Sequence, residues 1–407
     1  MNLIKPSLFL VVFILLACNS TKKKVSKPES EKFNLQTSLN KSILKTKETL
    51  KGLSSPDSFP RRINSNKINW DFVSVNDWCS GFWPGVLWYA YEASSDHTIK
   101  KQAEKFTNPI KTIAYSSAKN HDIGFMVYCS YGNGYRLTGN KEYKKILLSA
   151  ADTLATLYNP NVGSILSWPS QRSKFQHNTI IDNMMNLELL FWAAKNGGSK
   201  RLYEIAKSHA EITMKYMVRD DGAVYHVGSF DEDTGKFLKG YTHQGYANES
   251  MWSRGQAWGI YGFSVAYRET GNQAFLETAI KLSNHYINRL PKDRIPYWDF
   301  DDPKIPNAPK DASAAAISAC GMLELSEFVK DEKLKEKYRN TAQNFIEILS
   351  SKEYFSGDTN QALLLHSTGH RPKNSEIDVP IIYADYYYLE ALIRLKKIAA
   401  NAAFAQK

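Results

Sequence analysis

Four cysteines in 407 residues are too few for a disulfide framework. Cys18 ends a short apolar run near the N-terminus; Cys79, Cys129 and Cys320 are far apart and odd in number, so they read as small core residues. Metal chemistry has no better support, because His121, His226 and His243 are scattered and form no compact ligand pattern. No GxSxG nucleophile elbow occurs, and Gly132-Asn133-Gly134 reads as a helical packing or kink feature, not a phosphate-cradling loop. No basic stretch interleaved with aromatics stands out as a nucleic-acid stripe. No metal or organic cofactor is therefore implied, and nucleic acid is not an expected partner.

What is present is a well-stocked core, with 43% hydrophobic and 13% aromatic residues. Residues 7–17, SLFLVVFILLA, follow Lys5 and form a secretory signal that is too short for a comfortable membrane span. The LLAC ending resembles a lipoprotein lipobox, in which Cys18 becomes the lipidated first residue of the mature chain; a plain signal peptide with an incidental cysteine is the alternative. The expected organisation is a signal peptide at 1–17, a flexible polar tether at 18–34 and a single domain at 35–407. With 52 Lys and Arg against 41 Asp and Glu, the net charge is +11. Outside the cytoplasm, such a chain suits acidic polysaccharide or anionic lipid. STKKK after Cys18 lacks an acidic cluster, so the expected location is the cell envelope, lipid-anchored and facing the periplasm.

Beyond residue 35 roughly twelve helical segments of two kinds alternate. Amphipathic, lysine-rich segments open after a turn residue, as at His97, Asn140, Ser199, Asn272 and Asp331. Between them lie segments apolar around most of their circumference, from Ser80, Asp122, Thr179, Ser250, Asp311 and Val379. An enclosed helix followed by a half-exposed one, repeated about six times, predicts an all-α toroid of helical hairpins. The loops before the enclosed helices are long, with a hairpin expected at 223–241, and they converge over one mouth.

At that mouth the chemistry-bearing residues gather: His121, Asp122, Asp182, Glu249, Asp311 and Asp385, with His226, His243 and Gln244 in loops. Asp311 reads as a helix cap. Asp182, at or beyond the first turn and flanked by Met184, is either a general acid with a raised pKa or a buried, satisfied carboxylate. Asp122 is a cap or a second carboxylate that lifts the first. The stretch ESMWSRGQAWGIYGF puts Arg254 and Trp258 four residues apart, and Trp252 and Gln256 likewise, a set suited to a flat anionic ligand. The alternative is a buried aromatic helix whose arginine pairs with a core carboxylate.

HDIGF at 121, IIDNMMN at 180, HQGY at 243 and WSRGQAWGIYGF at 252 together resemble glycoside hydrolase family 88, the unsaturated glucuronyl hydrolases. The likeness extends from DWCSGFWPGVLW to DVPIIYADYYYLEAL. It implies an (α/α)6 barrel of six hairpins, with Asp182 as general acid and base and Asp122 as its partner. It further implies ligand contacts from His226, Gln244, Arg254 and Trp258, with Trp83, Trp168 and His121 in the same pocket. The substrates implied are acidic oligosaccharides ending in a 4,5-unsaturated uronic acid. Family 105 rhamnogalacturonyl hydrolases typically carry RGNGW where this chain has RGQAW. They and a non-catalytic, lipid-anchored glycan-binding protein are the rival readings.

Overall fold

The computed structural model describes Met1 and residues 33–53 and 55–405. Residues 2–17 of the expected signal peptide and the expected tether from Cys18 to residue 32 lie outside the described residues. From Asn34 onward the chain forms one unit.

Six half-exposed helices alternate with six enclosed ones among the described residues. The outer set is Leu35–Lys51, His97–Thr107, Lys141–Ala155, Lys200–Met217, Gln273–Arg289 and Glu332–Leu349. Each starts behind an Asn, Asp or Ser (Asn34, Asp96, Asn140, Ser199, Asn272, Asp331) whose side chain accepts a first-turn backbone N–H. Such a cap contributes about 1 kcal/mol, and it marks where each outer helix begins.

The inner set is Phe82–Ser94, a π-helical turn Gly124–Gly132 running into Asn133–Thr138, Asn183–Lys195, Ser253–Thr270, Ala312–Phe328 and Ile382–Ala405. Each packs on the next and the last packs on the first, so the inner helices close a ring with the outer helices in the grooves behind. Close approach inside the ring requires small residues. A Cβ on Gly262 would stand 2.4 Å from the Met184 side chain, and one on Gly321 would stand 2.9 Å from the Tyr261 backbone. This is the six-hairpin barrel expected of the sequence.

The long loops carry strands, which changes one boundary that matters for function. His177–Ile180, Val227–Phe230 and Phe237–Tyr241 form an antiparallel three-stranded sheet; the last two strands are the expected hairpin. The inner helix expected from Thr179 starts only at Asn183. Thr179 and Ile180 are β-branched and find the edge at Val227 and Gly228 to pair with, so sheet pairing overrides the helical pattern. Asp182 therefore lies at a strand-to-helix junction and not inside a helical turn.

Candidate active site

A cavity of 240 Å³ opens among the loops at the N-terminal ends of the inner helices, with Asp122, Asp182, His121, Gln244, Arg254 and Trp168 in its wall. The sheet registers its deepest part. Ile180 pairs with Val227, and one step further the Ile181 amide donates to the His226 carbonyl at 3.0 Å, which brings Asp182 opposite His226. Asp182 holds the N-cap position of its helix, yet its side chain caps nothing. Its Oδ2 is buried without a hydrogen-bond partner, 3.6 Å from His226 Nε2.

The tautomers of the two flanking histidines follow from their donors. His226 Nδ1 accepts the backbone N–H groups of His243 and Gln244, both at 3.1 Å, so its proton sits on Nε2, the nitrogen that faces Asp182. Asn186 Oδ1 accepts the Phe125 amide at 2.8 Å, which turns the Asn186 NH2 toward His121 Nδ1 at 3.3 Å. His121 thus also carries its proton on Nε2, 3.4 Å from Asp122 Oδ1. Each carboxyl faces one imidazole N–H, at a distance too long for a good hydrogen bond.

Burial sets the charges. It pushes the Asp182 carboxyl up to about 6; Asp122 adds to the rise, while His121 and Arg254 oppose it. Burial and Asp77 push Asp122 up to about 7 against the pull of Arg61. His121 is lowered to about 4 by burial, and burial holds His226 well below its usual value, so both rings are neutral donors near pH 7. The cavity pairs protonatable acids with neutral N–H donors, an arrangement for handing over a proton.

Arg254 is buried in the wall. Its guanidinium donates to Asp311 at 2.7 Å and to the Thr368 and Gly369 carbonyls, both at 2.6 Å, and lies 4.6 Å from the Trp252 ring centre. The pairing with a core carboxylate, given as the alternative for this arginine, is what the structure shows, and the residue also lines the pocket. Asp311 is the expected cap, accepting the Ser313 amide, and also anchors Arg254. Trp168 closes another side, edge-on to His226 and tilted against His243.

Two expected contacts belong elsewhere. Trp258 is fully buried, between Phe125 at 5.2 Å and Tyr387 at 5.3 Å, and takes no part in the cavity wall. Trp83 turns outward to pack edge-on against Phe106 of the outer helix His97–Thr107. In both cases the indole faces a neighbouring element, which four-residue spacing on one helix does not reveal. Gln256 bonds the Val224 amide and the Gly222 carbonyl and pins a loop. Asp385 accepts the Leu363 and Leu364 amides. His366 and His370 have HxxxH spacing but diverge: His366 pairs with Asp378, whereas His370 packs on His243.

The profile of Glycosyl Hydrolase Family 88 matches residues 54–402. The chain belongs to glycoside hydrolase family 88. An unsaturated glucuronyl hydrolase from Formosa agariphila is 39% identical over 95% of this chain and 96% of its own. The crystal structure of an unsaturated glucuronyl hydrolase specific for heparin superposes with a TM-score of 0.86 at 42% identity, covering 90% of this chain and 98% of that one. A Streptococcus agalactiae unsaturated glucuronyl hydrolase variant complexed with dGlcA-GalNAc6S gives a TM-score of 0.77 at 29% identity, with 91% and 93% covered. This family 88 protein is thus a glycoside hydrolase on an (α/α)6 barrel.

Several wall residues of the family 88 cavity do not stand out in the sequence. Arg61 reaches in from the hairpin Phe59–Arg62/Asp71–Val73, forks onto Glu376 at 2.8 and 3.2 Å, bonds Asp77 at 2.8 Å and lies over Trp78. Tyr383, Glu376 and His370 complete that side. Glu376 and His370 lie in the basic, hydroxyl-rich HSTGHRPKNSE segment and Tyr383 in DVPIIYADYYYLEAL, but nothing in either stretch marks them out as wall residues. The hairpin carrying Arg61 precedes the first inner helix in a stretch with no helical period to draw attention.

Proposed function

We infer that this protein is an unsaturated glucuronyl hydrolase that acts on the 4,5-unsaturated uronic acid at the non-reducing end of lyase-generated oligosaccharides. The observation carrying this reading is Asp182: a buried carboxyl with a raised pKa, an unpartnered oxygen and no structural bond to make, facing a cavity. A group of that kind is held for proton transfer.

The substrate sugar contains a vinyl ether, C4=C5 bonded to the ring oxygen, with a carboxylate on C5. Asp182 donates its proton to C4, leaving an oxocarbenium-like centre at C5. The Asp182 carboxylate then takes a proton from the water that adds at C5, so the acid is regenerated. The resulting C5 hemiketal opens to a ketone, and the hemiacetal left at C1 expels the next sugar as an alcohol. The glycosidic bond is lost through hydration of a double bond, so the two-carboxylate spacing of ordinary glycosidases does not apply.

Asp122 helps keep the Asp182 proton in place. His226 Nε2–H is a donor for substrate oxygens, together with Gln244, and Trp168 offers an aromatic wall. The role of His226 is supported by its Nε2–H tautomer facing Asp182, and those of Gln244 and Trp168 by their place in the cavity wall. Cys18 is proposed to carry a lipid that holds the enzyme at the envelope, on the strength of LLAC, and to face the periplasm, since STKKK after it lacks an acidic cluster. Retention in the membrane fraction, lost in Cys18→Ser, tests the anchor.

The deciding experiment is loss of the ultraviolet absorbance of the conjugated C4=C5–carboxylate on unsaturated disaccharides from ulvan, chondroitin, hyaluronan, heparin, xanthan and gellan. Turnover of at least one is expected. Absence of turnover on all of them by the folded protein overturns the reading.

A further inference from the structure

A second cavity, of 290 Å³, lies against the outer side of the active-site wall and shares Arg61, His370 and Glu376 with it. Its floor is the hairpin Phe59–Arg62/Asp71–Val73, which is tied to the loop before the last inner helix by the Ile63 amide bond to the Pro380 carbonyl at 3.1 Å. The sill between the two cavities is rigid, because Arg61 is clamped by Glu376 and Asp77 and backed by the Trp78 ring at 5.3 Å. Anything leaving the active site across that sill enters the outer cavity.

Two lining residues there have no structural occupation. Phe72, in the middle of the strand Asp71–Val73, is 44% exposed. One exposed phenylalanine is unremarkable alone; in the wall of a cavity continuous with a catalytic one, it is a platform for the apolar face of a sugar ring. Lys373 is exposed, and among the described residues no carboxylate lies within salt-bridge distance of it. The neighbouring cations are already engaged, Arg61 by Glu376 and Asp77 and Arg62 by Glu376 at 3.3 Å and Asp71 at 3.7 Å. Lys373 is thus the cation this cavity offers to a ligand.

Resting on the function proposed above, we propose that the outer cavity binds the third sugar of the substrate, an acidic residue whose ring lies on Phe72 and whose carboxylate or sulfate meets Lys373. With the terminal uronate at Asp182 and the second sugar on the Arg61–Glu376 sill, the third falls over the hairpin. The enzyme is then tuned to tetrasaccharides over disaccharides.

The test compares kcat/KM for the unsaturated hyaluronan disaccharide and tetrasaccharide, whose third sugar is a uronate, in the wild type, Phe72→Ala and Lys373→Ala. Phe72→Ala is expected to lower kcat/KM on the tetrasaccharide by about 3- to 10-fold. Lys373→Ala is expected to lower it by about 2- to 5-fold, an effect erased by high salt. Both variants leave the disaccharide unchanged. Equal losses on the two substrates, or none on the tetrasaccharide, overturn the subsite. Calorimetric affinity for the tetrasaccharide in an Asp182→Asn background, with and without Phe72→Ala, reads the subsite without turnover. Failure of the catalytic reading would stop turnover of both substrates in the wild type, whereas failure of the subsite would leave the wild type active and the variants indistinguishable from it.

Discussion

The two ends of the ring of inner helices differ in a way that volume alone would misjudge. The larger cavity, 480 Å³, runs from Phe125, Met185 and Tyr387 inside the ring toward the C-terminal ends, where Arg268 bonds Glu269 at 2.8 Å and Glu324 at 2.6 Å and also engages Glu188. Arg394 bonds Glu390 at 2.7 Å, and Arg136 forks onto Glu92 at 2.8 and 2.6 Å. Arginines suit the partially negative C-terminal ends of parallel helices, and here they are matched by glutamates. The smaller cavity, at the N-terminal ends, leaves Asp182 Oδ2, His121 Nε2, His226 Nε2 and both His370 ring nitrogens buried and unpartnered. Burying such groups without partners costs stability, so the end that tolerates them is the end that does chemistry.

The largest expected effect separates the two ends directly. Asp182→Asn removes the proton donor and should cut kcat by about 10²- to 10⁴-fold on unsaturated disaccharide, with a circular-dichroism melt at about pH 7.5 no lower than that of the wild type. A lowered melt with residual activity would give Asp182 the structural job now assigned to the other end. Arg268→Leu should do the reverse. It strands Glu188 and takes one partner each from Glu269 and Glu324, which keep Lys195 and Arg394, and because the arginine side chain is 31% exposed the cost falls near the low end for a broken buried pair, about 2 to 3 kcal/mol in denaturant unfolding. Its kcat/KM in the folded state should stay within about twofold of the wild type.

Much of this contrast is legible in the order of the amino acids. Alternation of lysine-rich and enclosed segments yields the barrel, since helical period reports which face is buried. Six capping residues lie at or next to the turns that announce the outer helices. Asp182, Asp122, His121 and Arg254 stand out as polar groups in apolar surroundings, and they share one cavity. Period fails where non-local pairing decides. The strand His177–Ile180 needs Val227–Phe230 to exist, and that partner lies some fifty residues away in sequence. Trp83 and Trp258 look like pocket residues because indoles are common in sugar grooves, but the direction an indole faces depends on neighbouring elements. Arg61 has no pattern to betray it.

A smaller expected effect probes the chain of bonds behind the catalytic pair. In Asn186→Asp the carboxylate cannot donate to His121 Nδ1; it draws the imidazole proton to that nitrogen and leaves a lone pair facing Asp122. A fall in kcat of about tenfold is expected with KM little changed. Nitrogen-15 spectra of histidine-labelled protein should show His121 as the Nε2–H tautomer in the wild type and Nδ1–H in the variant. An unchanged tautomer would sink the assignment.

Smaller again are the pH effects, whose sign is fixed by the direction of the shifts. Asp122 and Asp182 have folded pKa values raised to about 7 and about 6, so their contribution to stability is fully present below the unfolded value of about 4 and is lost as pH rises through 6 to 7. The melting temperature of Asp182→Asn should therefore fall less than that of the wild type between about pH 5 and about pH 7.5, a range that brackets the titration. Activity needs Asp182 protonated, so kcat/KM should decline above about pH 6. Asp122→Asn removes one cause of the rise and should move that decline to lower pH by less than about one unit.

The smallest effect belongs to Trp258, and it decides whether an indole so near the active site serves the ligand or the core. Its ring contacts are Phe125 and Tyr387, both buried, so Trp258→Phe leaves a partial void in the ring of inner helices. A stability loss of about 1 to 2 kcal/mol is expected, with kcat/KM within about threefold of the wild type. If the indole instead stacked on the terminal sugar, KM would rise while unfolding stayed unchanged. Trp168→Phe supplies the contrast: at the cavity wall, edge-on to His226, it should weaken substrate binding more than it weakens the fold.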